Sequence, residues 1–346
     1  MLLDRTIAGF RKPYRTLCAL VLISFSMPAA SQALRGNCGN PDPDISIAGC
    51  TKKIASDTAD LQSGRGIIQA AVAHLATDYD NRGVAYANKG LYDEAIADYS
   101  QAISLLPKSF PMAYFNRGNA YNNQGLDDQA IADYTKAISL EPEGGDPDFP
   151  LADTYNYRAN AYQRKGLTDE AIADFTMAIS LKPHLESAYE SRGNNYLRKA
   201  LYDLAIADFS KVIALNARNI AGYYNRALAY AHKGLDDDAI ADLTKGISLA
   251  PNDASAYDKR GLAYAHKGQY DQAIADYTQE IGLNAKDIPL HPGFASLYAS
   301  AYGHRGDAYE HKGAPEAARA DYRAALKLDP NMRSAKDALT RLGAGP

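Results

Sequence analysis

Residues 260–277 read RGLAYAHKGQYDQAIADY, and six further stretches spell nearly the same words, among them RGVAYANKGLYDEAIADY from Arg82, RGNAYNNQGLDDQAIADY from Arg117 and RALAYAHKGLDDDAIADL from Arg226. Repetition at a fixed period overrides a domain count based on length, because each copy is one supersecondary unit. Aligned on an Arg-Gly or Arg-Ala pair, the copies fall at Arg82, Arg117, Arg158, Arg192, Arg226, Arg260 and Arg305, and the commonest step is 34 residues. In the stretch quoted and the residues flanking it, Tyr257, Gly261 and Tyr264 share one helical face; Ala273, Ile274, Tyr277 and Ile281 share a second. Between them Lys267-Gly268 writes a helix stop, a cation in the last turn followed by a residue free to adopt positive φ. Pro107, Pro142, Pro183, Pro251 and Pro330 close the second helices. Ala217 and Ala285 stand there in the fourth and sixth copies, which predicts looser turns.

Small residues mark where the two helices cross. Gly261 and Ala273 are the expected contact pair, and the row Ala95, Ala130, Ala171, Ala205, Ala239, Ala273, Ala318 has no exception. Tyrosine rows (Tyr79 to Tyr302 and Tyr86 to Tyr309, one each per copy) read as buried packing on the first helix. Every copy also has an Arg and, on its second helix, an Asp, from Arg82 with Asp98 to Arg305 with Asp321. They are expected to form a repeated bridge whose Arg stem covers apolar surface; the alternative is solvated charges worth about 0–1 kcal/mol each.

This period, with its aromatic, small pair, Tyr, Ala, aromatic and Pro, resembles the tetratricopeptide repeat family over about 76–332. The resemblance implies an all-α, right-handed superhelical solenoid of seven helix-turn-helix units starting near 76, 111, 152, 186, 220, 254 and 299. Within residues 34–75, Ser46 to Ser56 matches Ala130 to Leu140 with Cys50 in the place of Tyr134, so a degenerate half-repeat is expected to cap the first unit. Residues 333–346 supply the opposite lid, apolar at Ala335, Ala338, Leu339 and Leu342, as a stack of repeats requires. Gly145 to Leu151 and Ile288 to Tyr298 are Pro-containing insertions read as loops.

Residues 1–33 read as an export signal: basic Arg5, Arg11, Lys12 and Arg15, an apolar Leu17 to Met27, then small residues up to a cleavage point near Ala33. The run is short for a membrane span, and a retained anchor is the alternative to cleavage. Cleavage moves the formal charge from −4 to about −7, an acidic balance that argues against nucleic acid and leaves no membrane-inserted segment. It also removes Cys18 and leaves Cys38 and Cys50, expected as a disulfide in a periplasmic or secreted protein rather than as two separate thiols.

No phosphate-cradling loop, zinc-protease helix or nucleophile in a recognisable setting is present, so no enzyme and no cofactor is expected. His232, His266 and His311 recur in register, but equivalent atoms of stacked helical pairs stand too far apart to share one metal ion; a surface that changes charge near pH 6 is the preferred reading. Lys165, Lys199, Lys233 and Lys267 suit helix C-termini by charge.

In the family, first helices line a concave groove that holds peptides, and two rows would face it here. The first runs Val84, Asn119, Asn160, Asn194, Leu228, Leu262, Asp307; the second runs Asn88, Asn123, Arg164, Arg198, His232, His266, His311. The expected function is a non-catalytic scaffold that binds a peptide or protein segment. Asn119, Asn160 and Asn194 would hold its backbone, Arg164 and Arg198 its carboxylates, and Leu228, Leu262, His232 and His266 would complete the contact. The family's Lys-and-Asn clamp for a terminal carboxylate is absent, since Asp80 and Phe115 occupy the relevant positions. The alternative is an envelope assembly or oligomerisation element working through the ends and insertions of the stack.

Overall fold

The computed structural model describes residues 37–62, 68–141, 149–287 and 295–345; the signal expected in 1–33 lies outside them. Among these residues the chain is helical throughout, with no strand. Helix α1 (Pro43–Gln62) precedes seven antiparallel pairs: α2 (Ile68–Asn88) with α3 (Tyr92–Leu105), α4 (Pro111–Asn123) with α5 (Asp127–Leu140), α6 (Leu151–Arg164) with α7 (Thr168–Leu181), and α8 (Glu186–Arg198) with α9 (Tyr202–Leu215). The series continues with α10 (Ile220–His232) and α11 (Asp236–Leu249), α12 (Ala254–His266) and α13 (Tyr270–Asp287), then α14 (Ala295–His311) and α15 (Pro315–Leu328); α16 (Arg333–Arg341) closes the end. Each helix packs on its chain neighbours, and most successive first helices also touch one another. Successive second helices do not pack together in this way, so the all-α solenoid curves with its first helices on the inner side.

The turn inside each unit is made as its sequence predicts. Gly268 takes φ +70°, a conformation that a side chain disfavours, and glycine does the same in every unit but the fourth. There Ala200 adopts φ 55°, the one non-glycine positive φ among the described residues.

The close crossing differs from expectation. A Cβ on Gly261 would lie 2.7 Å from the Tyr277 ring, so the glycine makes room for that ring and not for Ala273. The same holds for Gly83 with Tyr99, Gly118 with Tyr134, Gly193 with Phe209 and Gly306 with Tyr322. The alanine row is fully buried, as its constancy suggests.

The Arg–Asp pairs are bridges within a unit, and each is bidentate. Arg192 donates from Nε and Nη2 to Asp208 at 2.8 Å, and the other six match it at 2.6–2.8 Å. The third nitrogen reaches backward: Nη1 of Arg192 donates to Thr176 of the preceding unit at 2.9 Å, and Arg82 donates to Thr51 of α1. Thr51 follows Cys50 as Thr135 follows Tyr134, so α1 stands in the register of a second helix. The tyrosine rows are mostly half-buried rather than buried, because their rings flank this guanidinium, at 5.7 Å on both sides of Arg192. The fully buried rings are those of the second helices, such as Tyr134 and Phe209.

A second backward link joins the turns. Lys165, Lys199, Lys233 and Lys267 pair with Asp128, Asp169, Asp203 and Asp237 of the preceding unit, a more specific role than complementing a helix end. At the N-terminus Cys38 and Cys50 are disulfide-bonded, and Lys89 reaches Asp44 of α1. At the other end Ala335, Ala338 and Leu339 are buried against Ala299, Tyr322 and Ala325.

Insertions and turns also depart from expectation in part. From the first insertion Phe149 is buried edge-on against Phe115, while 142–148 lie outside the described residues. Of the second insertion, 288–294 lie outside them and 295–298 already belong to α14. Without a proline at Ala285, α13 runs on to Asp287 instead of turning. The fourth turn is not loose: Asn219 caps α10 by accepting from Gly222 at 2.7 Å, and Tyr223 donates to the Ala217 carbonyl.

Candidate functional site

The inner side is built by the two rows of first-helix residues, and packing has already used part of each. In the first row the outcome follows the ring beneath. Tyr134 has a hydroxyl, and it donates to Asn119 Oδ1 at 2.7 Å; Tyr322 donates likewise to Asp307. Phe175 and Phe209 have none. Asn160 therefore turns its amide to the Asn156 carbonyl at 2.9 Å and keeps Oδ1 unspent, while Asn194 makes no side-chain hydrogen bond among the described residues. The expected three-step ladder thus has unequal rungs, and the free acceptor oxygens lie in units three and four.

The second row meets the first residue of the preceding unit's second helix. Arg164 is held by Asp127, at 2.9 Å from Nε, and by Asn122. His232 stacks on Tyr202 with ring centroids 5.1 Å apart, His311 stacks on Tyr270 at 5.3 Å, and His266 lies 3.7 Å from Asp236. In unit three that first residue is Thr168, and Arg198 opposite it is exposed, with no hydrogen bond or ion pair among the described residues. Arg198 is thus the row's available cation, whereas Arg164 is engaged by its own chain.

The two positions that lack the family's carboxylate clamp are core. Asp80 is bonded by Asn116 at 3.0 Å, and burial pushes its carboxyl up to about 6 against that bond. Phe115 sits in an aromatic cluster with Tyr134, Phe149 and Tyr157, centroids 6.0–6.2 Å away.

Next to the free asparagines the inner side turns apolar and opens. A cavity of about 320 Å³ lies between units five and six, with Ala227, Leu228, Leu243 and Leu262 in its walls and His232 and His266 beside them. A second, of about 200 Å³, follows between units six and seven beside Tyr277, His304 and Asp307. Neither was read from the sequence.

Near the second cavity a polar group is set into the core. Glu280 occupies the position that Ala102, Ala137, Ala178 and Ala325 fill elsewhere, is 7% exposed, and leaves Oε2 without a hydrogen bond. Burial, reinforced by Asp258, pushes its carboxyl up to about 7. His304 meets Asp258 at 2.9 Å, and that bond raises the imidazole. Among the described residues no group of three or more His, Cys, Asp or Glu is placed to hold a metal ion, and no helix is long and apolar enough to cross a membrane.

Models of the tetratricopeptide repeat match residues 111–143, 152–185, 191–254, 243–275 and 299–332, and a TPR repeat model matches 83–125; together they span more than half of the chain. No curated protein matches. Among solved structures, the C-terminal part of a TPR repeat-containing protein from Cytophaga hutchinsonii is 21% identical, with TM-score 0.63 over 74% of this chain and 98% of its own. YrrB, described as a TPR protein with an unusual peptide-binding site, is 24% identical, with TM-score 0.49 over 60% of this chain and 97% of its own. The likeness to the Cytophaga structure extends to the fold, and with the family models and the seven clamped helix pairs it leads to one conclusion: the chain is a protein-interaction scaffold belonging to the tetratricopeptide repeat family.

Proposed function

We propose that the protein binds an extended peptide segment of a partner along the inner side of units three to six, in an exported compartment and without catalysis. The observation that carries this reading is the run Asn160, Asn194 and Arg198, whose hydrogen-bonding capacity the fold leaves unspent, leading directly to the apolar stretch at Leu228 and Leu262. Asn160 offers an acceptor and Asn194 both an acceptor and a donor to peptide backbone, while Arg198 meets a carboxylate. Asn119 retains its amide protons for the same use; Arg164 serves once it exchanges Asp127 for a ligand carboxylate, and His232 and His266 flank the apolar contact. The Cys38–Cys50 disulfide supports an oxidising compartment. Capping of both ends, by α1 and by α16 with Ser334, Lys336, Asp337 and Thr340 outward, favours this reading over assembly through the ends.

A photocrosslinking amino acid placed at Asn194 in the producing cell tests it, with the same group at Met177 on a second helix as control. Capture of a discrete partner at position 194 and not at 177 supports the groove. Capture at 177 alone, or equally at both, overturns it.

A further inference from the structure

Six units place an aromatic ring at one point of the second helix: Tyr99, Tyr134, Phe175, Phe209, Tyr277 and Tyr322. Unit five has Leu243. In five of those units the ring is so closely covered that only glycine fits above it, with a hypothetical Cβ 2.6–2.8 Å from the ring. Ala227 stands above Leu243 in unit five. Beside this pair lies the 320 Å³ cavity between units five and six, walled by Ala227, Ala239, Leu243 and Ala263, with Leu228 and Leu262 at its mouth. Leu228 is 39% exposed, so the cavity is approached from the inner side. His232 is drawn away by its stack on Tyr202, and His266 lies beside Asp236. A closed apolar void of this kind would cost stability, whereas one that opens on a binding surface is a preformed pocket at the small end of the range for ligand sites.

Charge around the mouth narrows the occupant. No carboxylate lines the cavity, and Lys259, which does, is exposed with no hydrogen bond or ion pair among the described residues. Arg198, two units before Lys259, is likewise unpaired. An apolar slot with one cation in its lining, and another on the inner side two units upstream, is complementary to a bulky apolar side chain within an acidic peptide.

We propose that the cavity between units five and six is an anchor subsite for one large aliphatic or aromatic side chain of an acidic peptide, with Lys259 and Arg198 meeting its carboxylates. This rests on the reading that a peptide occupies the inner side, and it adds the chemistry of that peptide. The anchor enters without rearrangement, and its backbone continues toward Asn194 and Asn160.

The test pans a random heptapeptide library on phage against the chain, then measures the enriched peptides by fluorescence polarisation. The expected peptides carry Leu, Met, Phe or Trp with Asp or Glu close by. Ala231→Phe, at an exposed position of the lining, places a ring in the cavity and fills it from the mouth; it is expected to weaken these peptides by about tenfold or more. Leu228→Asn, which gives unit five the residue of units two to four at an exposed position, supplies a second reading if the filled variant does not fold, with a weakening in the same direction. Arg198→Glu with Lys259→Glu is expected to reverse the preference for acidic peptides. Enriched peptides without a bulky apolar residue, or unchanged affinity in both the filled and the Leu228→Asn variants, overturn the anchor. If Asn160→Ala with Asn194→Ala weakens the peptides while the filled variant does not, the groove stands and only the anchor falls; if no peptide is enriched, both fall. A dimer that disappears on filling the cavity would place a second copy there and overturn the peptide as occupant.

Discussion

Units two and five carry the same clamp, yet one is closed on its inner side and the other open. Arg117 grips Asp133 and Arg226 grips Asp242, both at 2.7 Å from Nε, and in each unit Nη1 reaches a serine of the unit before at 2.9 Å. The letters that differ are Gly118, Asn119 and Tyr134 against Ala227, Leu228 and Leu243. In unit two the tyrosine hydroxyl reaches Asn119 and finishes the surface; in unit five Leu228 and Leu243 make no such bond, and the surface beside them opens into the cavity. The frame and the filling are therefore separable. A charged frame common to every unit lets the surface above it be recut one ring at a time.

The largest effect should come from breaking the frame. Arg117→Ala and Arg226→Ala each leave a buried carboxylate without its partner and should cost about 3–5 kcal/mol in urea unfolding, with the same loss in both units. A double-mutant cycle on Arg226 and Asp242 sharpens this, since additive losses would mean that the clamp carries no coupling.

A core position common to both units predicts the next effect. Where unit two has Ala137 and unit five Gly246, unit six has Glu280, whose carboxyl is raised from 4.5 to about 7. A raised acid favours the folded junction fully below its unfolded pKa and loses that advantage as pH climbs through the folded value. His304, raised by its bond with Asp258, works in the same direction, because the pair needs the imidazolium. Wild-type stability should therefore fall by about 3 kcal/mol between pH 5 and pH 8, and Glu280→Ala should flatten most of that slope in thermal unfolding. An equally steep slope in the variant would place the titration elsewhere.

Exchanging the small residues compares the two fillings directly. Gly118→Ala drives a methyl to 2.8 Å from the Tyr134 ring and should cost about 1–3 kcal/mol. Ala227→Gly meets no such ring and should lose only the helix propensity of about 1 kcal/mol. The smallest effect should be a gain: Ala200→Gly, which restores the residue that units two and five use in this turn, relieves a positive φ and should stabilise by about 0.5–1 kcal/mol.

The period, the helix stops and the constant alanines were legible because they are local, each decided by residues within one turn or one pair. The Arg–Asp bridge was legible too, since both members recur together in every unit, but its backward bond to Ser or Thr was not. The second row resisted for a related reason. His266 answers to Asp236 and His232 to Tyr202, partners thirty residues upstream, and insertions stretch that offset to 37 for Arg164 and 41 for His311. What resembles a graded ligand surface in one dimension is largely a set of private neighbour pairs, and Arg198 becomes conspicuous only when Thr168 is found opposite it. The cavity is illegible in another sense: it is a space bounded by residues of two units at once, and no single letter announces it.

The backward direction of the links gives the stack a sense of time. Nη1 of each clamp and the ammonium of nearly every turn lysine donate to the unit that precedes them, so these donors are satisfied from their N-terminal side. Trimming units from the C-terminus exposes hydroxyls and carboxylates, which water serves well, whereas trimming from the N-terminus strands cations that had been placed against protein. A chain leaving the ribosome N-terminus first meets the dependence in its favourable order, each new pair of helices docking on acceptors already folded. The disulfide-tied α1, supplying Thr51 and Asp44, is then the one acceptor surface that no earlier repeat could have provided.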